Sequence, residues 1–515
     1  ETARTAEKRT TREPSANVRN SEMRTLAFIS VLICAFGCVI SSSVTIELEG
    51  REFAKYGKWL EDNGAYFPKG KVADYGYTRG TFMTRDVDAE ELVIQAPAKL
   101  VFDCKKDSAI LRWIPHGMSD LWAYAVRLVM EKGNPDSFHQ PWIQTLPTDM
   151  SFMPWYWSDE EIQYIQDEGY ISAVHAMRED LEKVYNAVFK VRARGLPGVP
   201  VNDSIGEAPL HPGSGHHVHD DAAEGPHFHP SGNYSIEELK WAASQAFSRS
   251  WGVGMIPLLD MANHHPTKGA SLHTEHEIPD DYGSPLKIVG LRSVMKLEAG
   301  DQFYVNYGHL QAFQLLVYYG FAPAIDEDFA EITLSYSFGD APVPESDEEV
   351  IRDLFEEREM GRAEQGTRVG TFLLSWEGDL PSDMLDFARL VVYKPSCDPN
   401  PPPHTGEISL ENEVRAIKLI HSTVQSIQAD ATRITSAADD GKLLEEGNLS
   451  PNARTAVRAR MQGKLIRERA LQHLDHRFRG LLDGSVPIGQ PHSEEEEQGE
   501  EAEHLYGDVS LEDVS

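Results

Sequence analysis

Two segments in the second half of the chain constrain its fold more than any other part of the sequence. Residues 257–264 read PLLDMANH and lead from an apolar run into Asp, Asn and His, whereas residues 301–308 read DQFYVNYG and form a strand-like run that ends in Tyr-Gly. A third segment, YGF at 319–321, follows closely. The rest of the sequence is interpreted around these three segments.

Length and composition describe a globular protein of several domains. At 515 residues, with 41% apolar and 25% charged residues, the chain has room for roughly two to four domains and a large core. Its formal net charge of -34 argues against a nucleic-acid-binding surface, which would need a basic patch, and favours neutral or basic partners. Part of this charge lies in the Glu-rich segment from 493 to 503, so we expect residues 485–515 to form an acidic, disordered tail.

The N-terminal segment has the pattern of a targeting peptide. Met23-Arg24 starts a charged region, and Leu26 to Ile40 is an apolar run of signal-peptide length. A membrane-spanning helix needs about 20 apolar residues, so a cleaved segment at 23–43 is favoured over an anchor, and we expect no stable membrane span in the mature chain. Residues 1–22 would then be a non-native upstream segment. This predicts entry into the secretory pathway, to the endoplasmic reticulum or outside the cell, or alternatively a plastid reached through a bipartite signal.

Neither the cysteines nor the histidines predict a metal site. The four cysteines have no CxxC or Cys/His spacing, and we expect Cys104 and Cys397 to be buried free thiols rather than a disulfide. Residues 195–232 are rich in Pro, Gly and His. A short His-rich tract can bind metal, but nothing in the sequence defines a geometry here, so a flexible insertion is the favoured interpretation.

Two β-rich pieces enclose a helical insert. Short strand-like runs lie at 72–104 and again at 251–321, and the pattern after 321 is mostly helical. The helix signals are capping boxes at 158–161 and 235–238, an amphipathic stripe from 174 to 195, and a Ser-Pro start at 450 of a helix that runs to about 482.

These segments, in this order and with this spacing, resemble the SET domain, the catalytic module of many protein-lysine methyltransferases, and most closely its Rubisco large-subunit methyltransferase type. The resemblance covers roughly Phe53 to Leu482. It implies an α+β fold, with a split SET β-fold at 52–325 that contains a helical insert at about 105–250. A mostly α-helical C-terminal domain at 342–484 would follow, and it would provide part of the binding surface for a protein substrate.

The resemblance also implies which residues bind the cofactor. In SET proteins an Asn-His pair contacts S-adenosylmethionine, and here the pair is Asn263-His264. The family's N-terminal cofactor loop begins Gly-x-Gly, and here it reads Thr78-Arg79-Gly80, so threonine replaces the first glycine. We therefore expect these five residues to bind the cofactor.

Catalytic and substrate-binding residues follow from the same resemblance. The essential tyrosine of the family ends a conserved strand, and here it is Tyr307 of the VNYG segment at 305–308. The tyrosine of the family's Tyr-Gly-Phe motif lines the pocket, and here it is Tyr319. A helix that ends SRSW at 248–251 matches the family's arginine motif and indicates Arg249. Asp260 matches an acidic residue at the same pocket. Tyr307 is thus the expected catalytic residue, and the other three are expected to bind the substrate.

Methyl transfer from S-adenosylmethionine is a direct displacement at carbon, for which the protein supplies placement and electrostatics. A lysine amine must arrive neutral, and desolvation in an aromatic channel lowers its pKa. The resemblance therefore implies a monomeric protein-lysine N-methyltransferase without a metal or a nucleic-acid partner.

Two alternatives stay open. One is a protein-histidine methyltransferase, because the family has a branch that methylates histidine. The other is a non-catalytic SET-like binding module, which is favoured by Thr78 and by QA at 311–312 in place of the family's Ser-Asn.

Overall fold

The computed structural model describes residues 44–75, 78–104, 108–190, 234–276, 286–308, 310–339, 344–399 and 402–485. The upstream residues 1–22, the predicted targeting segment at 23–43, the His-rich loop at 195–232 and the acidic tail beyond Ser485 lie outside these residues. Within the described part of the chain, no helix combines the length and the apolarity that crossing a membrane requires.

Most strands are short, and the two longest of the described strands lie near the C-terminus. They are β1 (Thr45–Glu47), β2 (Gly70–Tyr75), β3 (Thr78–Met83), β4 (Leu92–Pro97), β5 (Ser250–Trp251), β6 (Gly254–Met255), β7 (Asn263–His264), β8 (Ser271–His276), β9 (Leu286–Arg292), β10 (Gln302–Val305), β11 (Phe329–Ser337), β12 (Arg362–Glu364) and β13 (Thr367–Ser375).

The central sheet joins strands from both β-rich pieces of the sequence. Its order is β1-β2-β3-β10-β7, with β1 parallel to β2, β3 antiparallel to β10, and β10 parallel to β7. A second sheet has the order β4-β9-β8, and β5 and β6 form a hairpin. Because β3 and β10 are neighbours although the whole helical insert separates them in sequence, the predicted split α+β arrangement is confirmed.

Helices form the insert and most of the C-terminal region. They are α1 (Arg51–Asp62), α2 (Ser108–Leu111), α3 (Leu121–Lys132), α4 (Gln140–Ile143), α5 (Asp159–Ile162), α6 (Glu168–Tyr185), α7 (Ile236–Arg249), α8 (Ala312–Tyr319), α9 (Glu345–Glu357), α10 (Ser382–Val391), α11 (Leu410–Ala431), α12 (Ala437–Glu445) and α13 (Pro451–Asp483). The predicted capping boxes are confirmed: Ser158 and Ser235 each accept a backbone N–H at the start of α5 and α7. Such a cap stabilises a helix by about 1 kcal/mol.

Three apolar cores hold these elements together. The first lies between the central sheets and the insert and contains Tyr56, Trp122 and Trp142. The second lies in the C-terminal domain around Phe355 and Phe387. The third forms where the insert, α8 and α13 meet. Since burial of one large apolar side chain contributes about 1.5–3 kcal/mol, these cores dominate the stability of the fold.

The C-terminal domain is mostly helical, as expected, but it also contains a β-sheet that was not predicted from the sequence. β11 and β13 pair antiparallel along their whole length, and β12 extends the sheet beside β13. In β11 the residues Ala330, Ile332, Leu334 and Tyr336 are buried, whereas their neighbours in sequence are less so. This period of two places one face of the sheet against the helices of the second core.

Three smaller expectations also differ from the structure. The helix expected from 174 to 195 ends at Tyr185 in α6 and continues as a π-helical segment at Asn186–Lys190. α8 lies in a region expected to be β-like, because its aromatic and aliphatic residues suit either structure and tertiary packing decides. Cys104 is a buried free thiol, as expected, but Cys397 is exposed because it lies in the turn after α10.

Candidate active site

Two parallel strands place the Asn-His pair beside the Tyr-Gly segment. β7 pairs with the end of β10, so that Asn263 lies opposite Tyr304 and His264 opposite Val305. The backbone N–H of Tyr307 donates to Nδ1 of His264 at 3.1 Å, and the two rings stack with 5.1 Å between their centroids. Because Nδ1 accepts this hydrogen bond, the neutral imidazole carries its proton on Nε2.

The hydroxyl of Tyr307 is held in one orientation. It donates to the backbone carbonyl of Ala262 at 3.0 Å. Burial raises the pKa of Tyr307 well above its usual value, and the nearby Arg249 guanidinium opposes this shift. Tyr319 and Asp260 raise the pKa further. The phenol is therefore protonated at neutral pH, and its oxygen can still accept a hydrogen bond from a ligand.

α8 brings a second tyrosine to the same place. Tyr319 is the last residue of this helix, and Gly320 ends the helix with a left-handed φ of 81°. A Cβ at Gly320 would lie 2.3 Å from the ring of Phe152, so both the conformation and the close approach require glycine. Burial raises the pKa of Tyr319, which keeps this phenol protonated as well.

A buried charged pair lies beside the tyrosines. The side chain of Asp260 is 0% exposed; its Oδ2 accepts from Trp142 Nε1 at 3.0 Å and lies 3.6 Å from Arg249 Nη1. Arg249 also donates to the backbone carbonyl of Asp260 at 2.7 Å and to Gln245 Oε1 at 3.0 Å. Burial raises the pKa of Asp260, while Arg249 and Trp142 act in the opposite direction. Oδ1 of Asp260 has no hydrogen-bond partner among the described residues.

These side chains surround one cavity of about 230 Å³. Its lining consists of Ser248, Arg249, Ser250, Trp251, Gly252, Leu259, Asp260, Ala262, Asn306, Tyr307 and Tyr319. Aromatic rings and a buried charged pair therefore meet at one cavity.

The structure brings together the four residues that were predicted to be catalytic or to bind substrate, since Arg249, Asp260, Tyr307 and Tyr319 all line the cavity. The five predicted cofactor residues are not among the lining residues. Asn263 and His264 nevertheless directly follow Ala262, whose carbonyl accepts the Tyr307 hydroxyl, so they lie next to the cavity.

Sequence reasoning missed several lining residues. Ser250 and Trp251 belong to the β5–β6 hairpin, and Asn306 directly precedes Tyr307. The hydroxyl of Ser250 is buried and has no hydrogen-bond partner within the described residues. All three lie beside a predicted site residue, because they flank Arg249 and Tyr307 in the segments SRSW and VNYG. This position in the sequence was the signal that could have identified them.

Gly80 and Asn263 form a tightly packed unit on the central sheet. Asn263 Nδ2 donates to the backbone carbonyl of Arg79 at 3.0 Å. A Cβ at Gly80 would lie 2.4 Å from Gln302 Nε2 and 3.0 Å from Asn263 Nδ2. The amide nitrogen of Gln302 is buried and, among the described residues, has no hydrogen-bond partner. The absence of a side chain at Gly80 thus lets the buried amide of Gln302 pack against the backbone of β3.

Arg79 presents a second donor of this kind. Its Nη1 donates to the carbonyl of Thr145 at 2.9 Å, and its guanidinium lies 4.6 Å from the centroid of the Phe53 ring. Its Nε is buried without a hydrogen-bond partner in the described part of the chain, since the carboxylate of Asp74 is 3.8 Å away. Burial lowers the pKa of Arg79, Asp74 raises it, and Arg249 lowers it further. Arg79 Nε and Gln302 Nε2 are therefore two buried donors that lack an acceptor in the described part of the chain.

Thr78 is placed by the backbone alone. It begins β3 and pairs with Tyr75 at the end of β2. No group of three or more His, Cys, Asp or Glu residues in the described ranges has the arrangement of a metal site. The polar side chains that line the cavity include those of Tyr307, Tyr319 and the Arg249–Asp260 pair.

Comparison with known proteins finds sequence relatives among methyltransferases, although no protein-family model matches the chain. The actin-histidine N-methyltransferases of Papio anubis and Homo sapiens are each 26% identical over 284 residues, which are 51% of this chain and 41% of theirs. The enzyme of the same name from Gallus gallus is 24% identical over 454 residues, 82% of this chain and 68% of that protein. The chain thus spans about two fifths of the length of the first of these relatives.

Solved structures show the same architecture. The SET domain of LSMT bound to methyllysine and AdoHcy has a TM-score of 0.53 and 18% identity, over 84% of this chain and 94% of that one. Rubisco LSMT bound to AdoMet has a TM-score of 0.51 and 17% identity, over 84% and 93%. The chain therefore has the SET fold of the Rubisco LSMT structures, which confirms at the level of the fold the resemblance predicted from its motifs.

Proposed function

We propose that this protein is an S-adenosylmethionine-dependent protein N-methyltransferase whose first candidate acceptor is a lysine side chain. The observation that carries the proposal is the cavity in which the oriented hydroxyl of Tyr307 and the rings of Tyr319 and Trp251 surround a space for one side chain. The likeness in fold to lysine-bound and AdoMet-bound LSMT supports it.

The residues beside the cavity fit this cofactor. A side chain at position 80 would have no room next to Gln302 and Asn263, so this position requires glycine. The buried donors Gln302 Nε2 and Arg79 Nε have no hydrogen-bond partner in the described residues. A cofactor with a carboxylate and polar ribose and adenine groups supplies the acceptors that these donors lack. Gly80, Arg79, Asn263 and His264 would hold it, and Thr78 would lie at the start of the same strand. When bound, S-adenosylmethionine supplies a methyl group activated by its sulfonium.

Tyr307 would orient the attacking nitrogen rather than remove its proton. Its raised pKa keeps the phenol protonated, so it is a poor base at neutral pH. Its hydrogen goes to the carbonyl of Ala262, which leaves the oxygen to accept an N–H from the substrate. A nitrogen held in this way has its lone pair directed along one line, which is what a direct displacement requires.

The cavity also disfavours a charged amine. Arg249 lines the cavity and carries a positive charge, and the aromatic walls exclude water from a side chain that enters. Both effects lower the pKa of a lysine amine, so that it arrives with a free lone pair. Asp260 limits the first effect, because its carboxylate lies 3.6 Å from the Arg249 guanidinium.

A histidine acceptor is the second candidate. The sequence relatives that are named actin-histidine N-methyltransferases favour it. An imidazole needs an acceptor for its non-reacting N–H, and both Ser250 Oγ and Asp260 Oδ1 are buried at the cavity without a partner in the described residues. The third reading, a non-catalytic protein-binding module, predicts that the cofactor does not bind, and calorimetric titration with S-adenosylmethionine tests it directly.

The test is transfer of label from S-adenosylmethionine carrying a radioactive methyl group to a cell extract. Wild-type protein should label at least one protein band, Tyr307→Phe should not, and Tyr304→Phe should behave as wild type. Tyr304 is the matched control because it lies on β10, three residues before Tyr307, but does not line the cavity. Hydrolysis of the labelled band then shows methyl-lysine or methyl-histidine. Absence of any labelled band, together with no cofactor binding, would leave the binding-module reading.

A further inference from the structure

α13 of the C-terminal domain packs against the helix that carries Tyr319. Ala312, Leu316 and Val317 on the inner face of α8 share one apolar core with Ala456 and Ala459 of α13. Residues of the insert, including Trp157 and Ile162, complete this core. The small alanine side chains let the two helices approach closely, so a shift of α13 would be transmitted to α8.

A buried amide of α13 holds the chain just beyond Tyr319. Gln462 is 4% exposed, and its Nε2 donates to the backbone carbonyl of Pro323 at 2.9 Å. Pro323 follows the left-handed Gly320, where the chain leaves α8 without helical hydrogen bonds to support it. The contact therefore fixes the exit of the helix next to the tyrosine that lines the cavity.

A buried carboxylate caps the other end of α8. The carboxylate of Asp328 accepts the backbone N–H of Ala312, the first residue of α8, at 2.6 Å and that of Phe329 at 2.7 Å. Burial raises the pKa of this carboxyl, whereas the charge of Arg467 on α13 lowers it. The Nε of Arg467 donates to Gln428 of α11 at 3.0 Å, which ties the guanidinium into the C-terminal domain.

We infer that Gln462 of α13 is a positioning residue for the cavity: it holds the C-terminal exit of α8 and thereby the Tyr319 ring against Tyr307. The C-terminal domain is then part of the frame of the active site and not only a surface that binds substrate. The consequence for catalysis rests on the proposed methyltransferase function, whereas the positioning itself does not.

Hydrogen exchange of the full-length chain, read by mass spectrometry, tests the positioning without any substrate. Gln462→Met removes the donor to Pro323 and keeps the side-chain volume. Loss of one buried hydrogen bond should make the amides of residues 312–322 exchange about 5- to 10-fold faster. Unchanged exchange in this segment of a folded Gln462→Met protein would overturn the inference.

The matched control is Asn412→Leu. Asn412 is also a fully buried amide whose nitrogen donates to a backbone carbonyl, that of Arg389 at 3.1 Å, and whose oxygen lacks a partner in the described residues, but it lies in the second core away from α8. Asn412→Leu should destabilise the C-terminal domain about as much as Gln462→Met does. It should leave the hydrogen exchange of residues 312–322 unchanged. If Gln462→Met does not fold, Gln462→Asn, which keeps the amide but shortens its reach, replaces it under the same criterion.

Activity separates this inference from the proposed function. Gln462→Met should lower the single-turnover rate of label transfer to the extract band about 10-fold. It should leave cofactor affinity within about 2-fold, because Gly80 and Asn263 lie on strands of the central sheet. Faster exchange in the variant with no transfer by the wild-type protein would uphold the positioning and reject the methyltransferase. A variant with faster exchange and an unchanged rate would reject the catalytic consequence.

Discussion

The rings of Tyr307 and Tyr319 stack with 4.6 Å between their centroids and 18° between their planes. Tyr307 lies just after β10 of the central sheet, and Tyr319 is the last residue of a helix that packs on the C-terminal domain. The cavity wall is therefore assembled from two parts of the fold. The position of one hydroxyl relative to the other depends on how these parts are packed together.

Replacement of Tyr319 by phenylalanine should alter the product more than the rate. The ring stack with Tyr307 persists, but one hydroxyl leaves the cavity wall. The extra space and the lost polar contact should allow more methyl groups on the acceptor, with a rate within about 10-fold of wild type. Intact-mass analysis of the labelled substrate measures the number of methyl groups. An identical product distribution would remove Tyr319 from the control of methylation.

Gly80→Ala should weaken binding of the cofactor while the protein still folds. The new Cβ would lie 2.4 Å from Gln302 Nε2, so the flexible glutamine side chain must move and its donor is displaced. Loss of about one hydrogen bond corresponds to roughly 10-fold in the dissociation constant, which calorimetry can measure. Gly441→Ala is the control, because it lies inside α12 with only an ordinary contact at 3.9 Å and should bind the cofactor normally.

The free energy of unfolding should show the cost of breaking the buried charged pair of Arg249 and Asp260. Arg249→Met leaves the fully buried carboxylate of Asp260 without its cation, which is expected to cost about 3–5 kcal/mol in the free energy of unfolding. The double variant Arg249→Met/Asp260→Asn removes both charges and should recover most of this loss. Urea unfolding measures the three values. A double variant as unstable as the single one would show that packing, not charge, is what Arg249 contributes.

Asp328 should make the fold less stable as the pH rises. Burial raises the pKa of this carboxyl to about 7, while the backbone N–H groups of Phe329 and Ala312 and the charge of Arg467 oppose the shift. The folded state therefore holds the proton more tightly than the unfolded chain. Its contribution is fully present below the usual aspartate pKa and is lost as the pH rises through about 7.

Asp328→Asn should abolish this part of the pH dependence. The asparagine oxygen still accepts the N–H of Ala312, and it cannot ionise. The decrease in melting temperature between pH 5 and pH 8 should therefore be smaller in the variant than in the wild type. Asp88→Asn, at an exposed position, should keep the wild-type difference. An Asp328→Asn protein with the full wild-type decrease would contradict the assignment.

The local parts of the site could be predicted from the sequence, and the long-range parts could not. Asn263, His264 and Tyr307 stand in short motifs whose strand-end position is visible in the residues themselves, and β7 and β10 bring them together. The hydrogen bond from Trp142 to Asp260 joins residues 118 positions apart, and no periodic pattern in the sequence indicates it. The same holds for the contact of Gln462 with Pro323, 139 positions apart.

The missed C-terminal sheet has a different explanation. β11 alternates buried and exposed residues, which is a readable strand signal, but strong helix signals on both sides of it dominated the interpretation. The cavity itself is a product of packing. Ser250 and Trp251 line it because the β5–β6 hairpin turns back against Phe102, with which Met255 forms a bridge.

The central claim is that Tyr307 orients the acceptor nitrogen in a methyltransferase cavity, and single-turnover transfer at saturating cofactor tests it most directly. Tyr307→Phe removes one oxygen and little volume, so the fold and the affinity for S-adenosylmethionine should persist. The rate of transfer should fall roughly 10²–10³-fold, the effect of losing one preorganised polar group. A Tyr307→Phe protein that binds cofactor and transfers methyl groups at the wild-type rate would contradict the account.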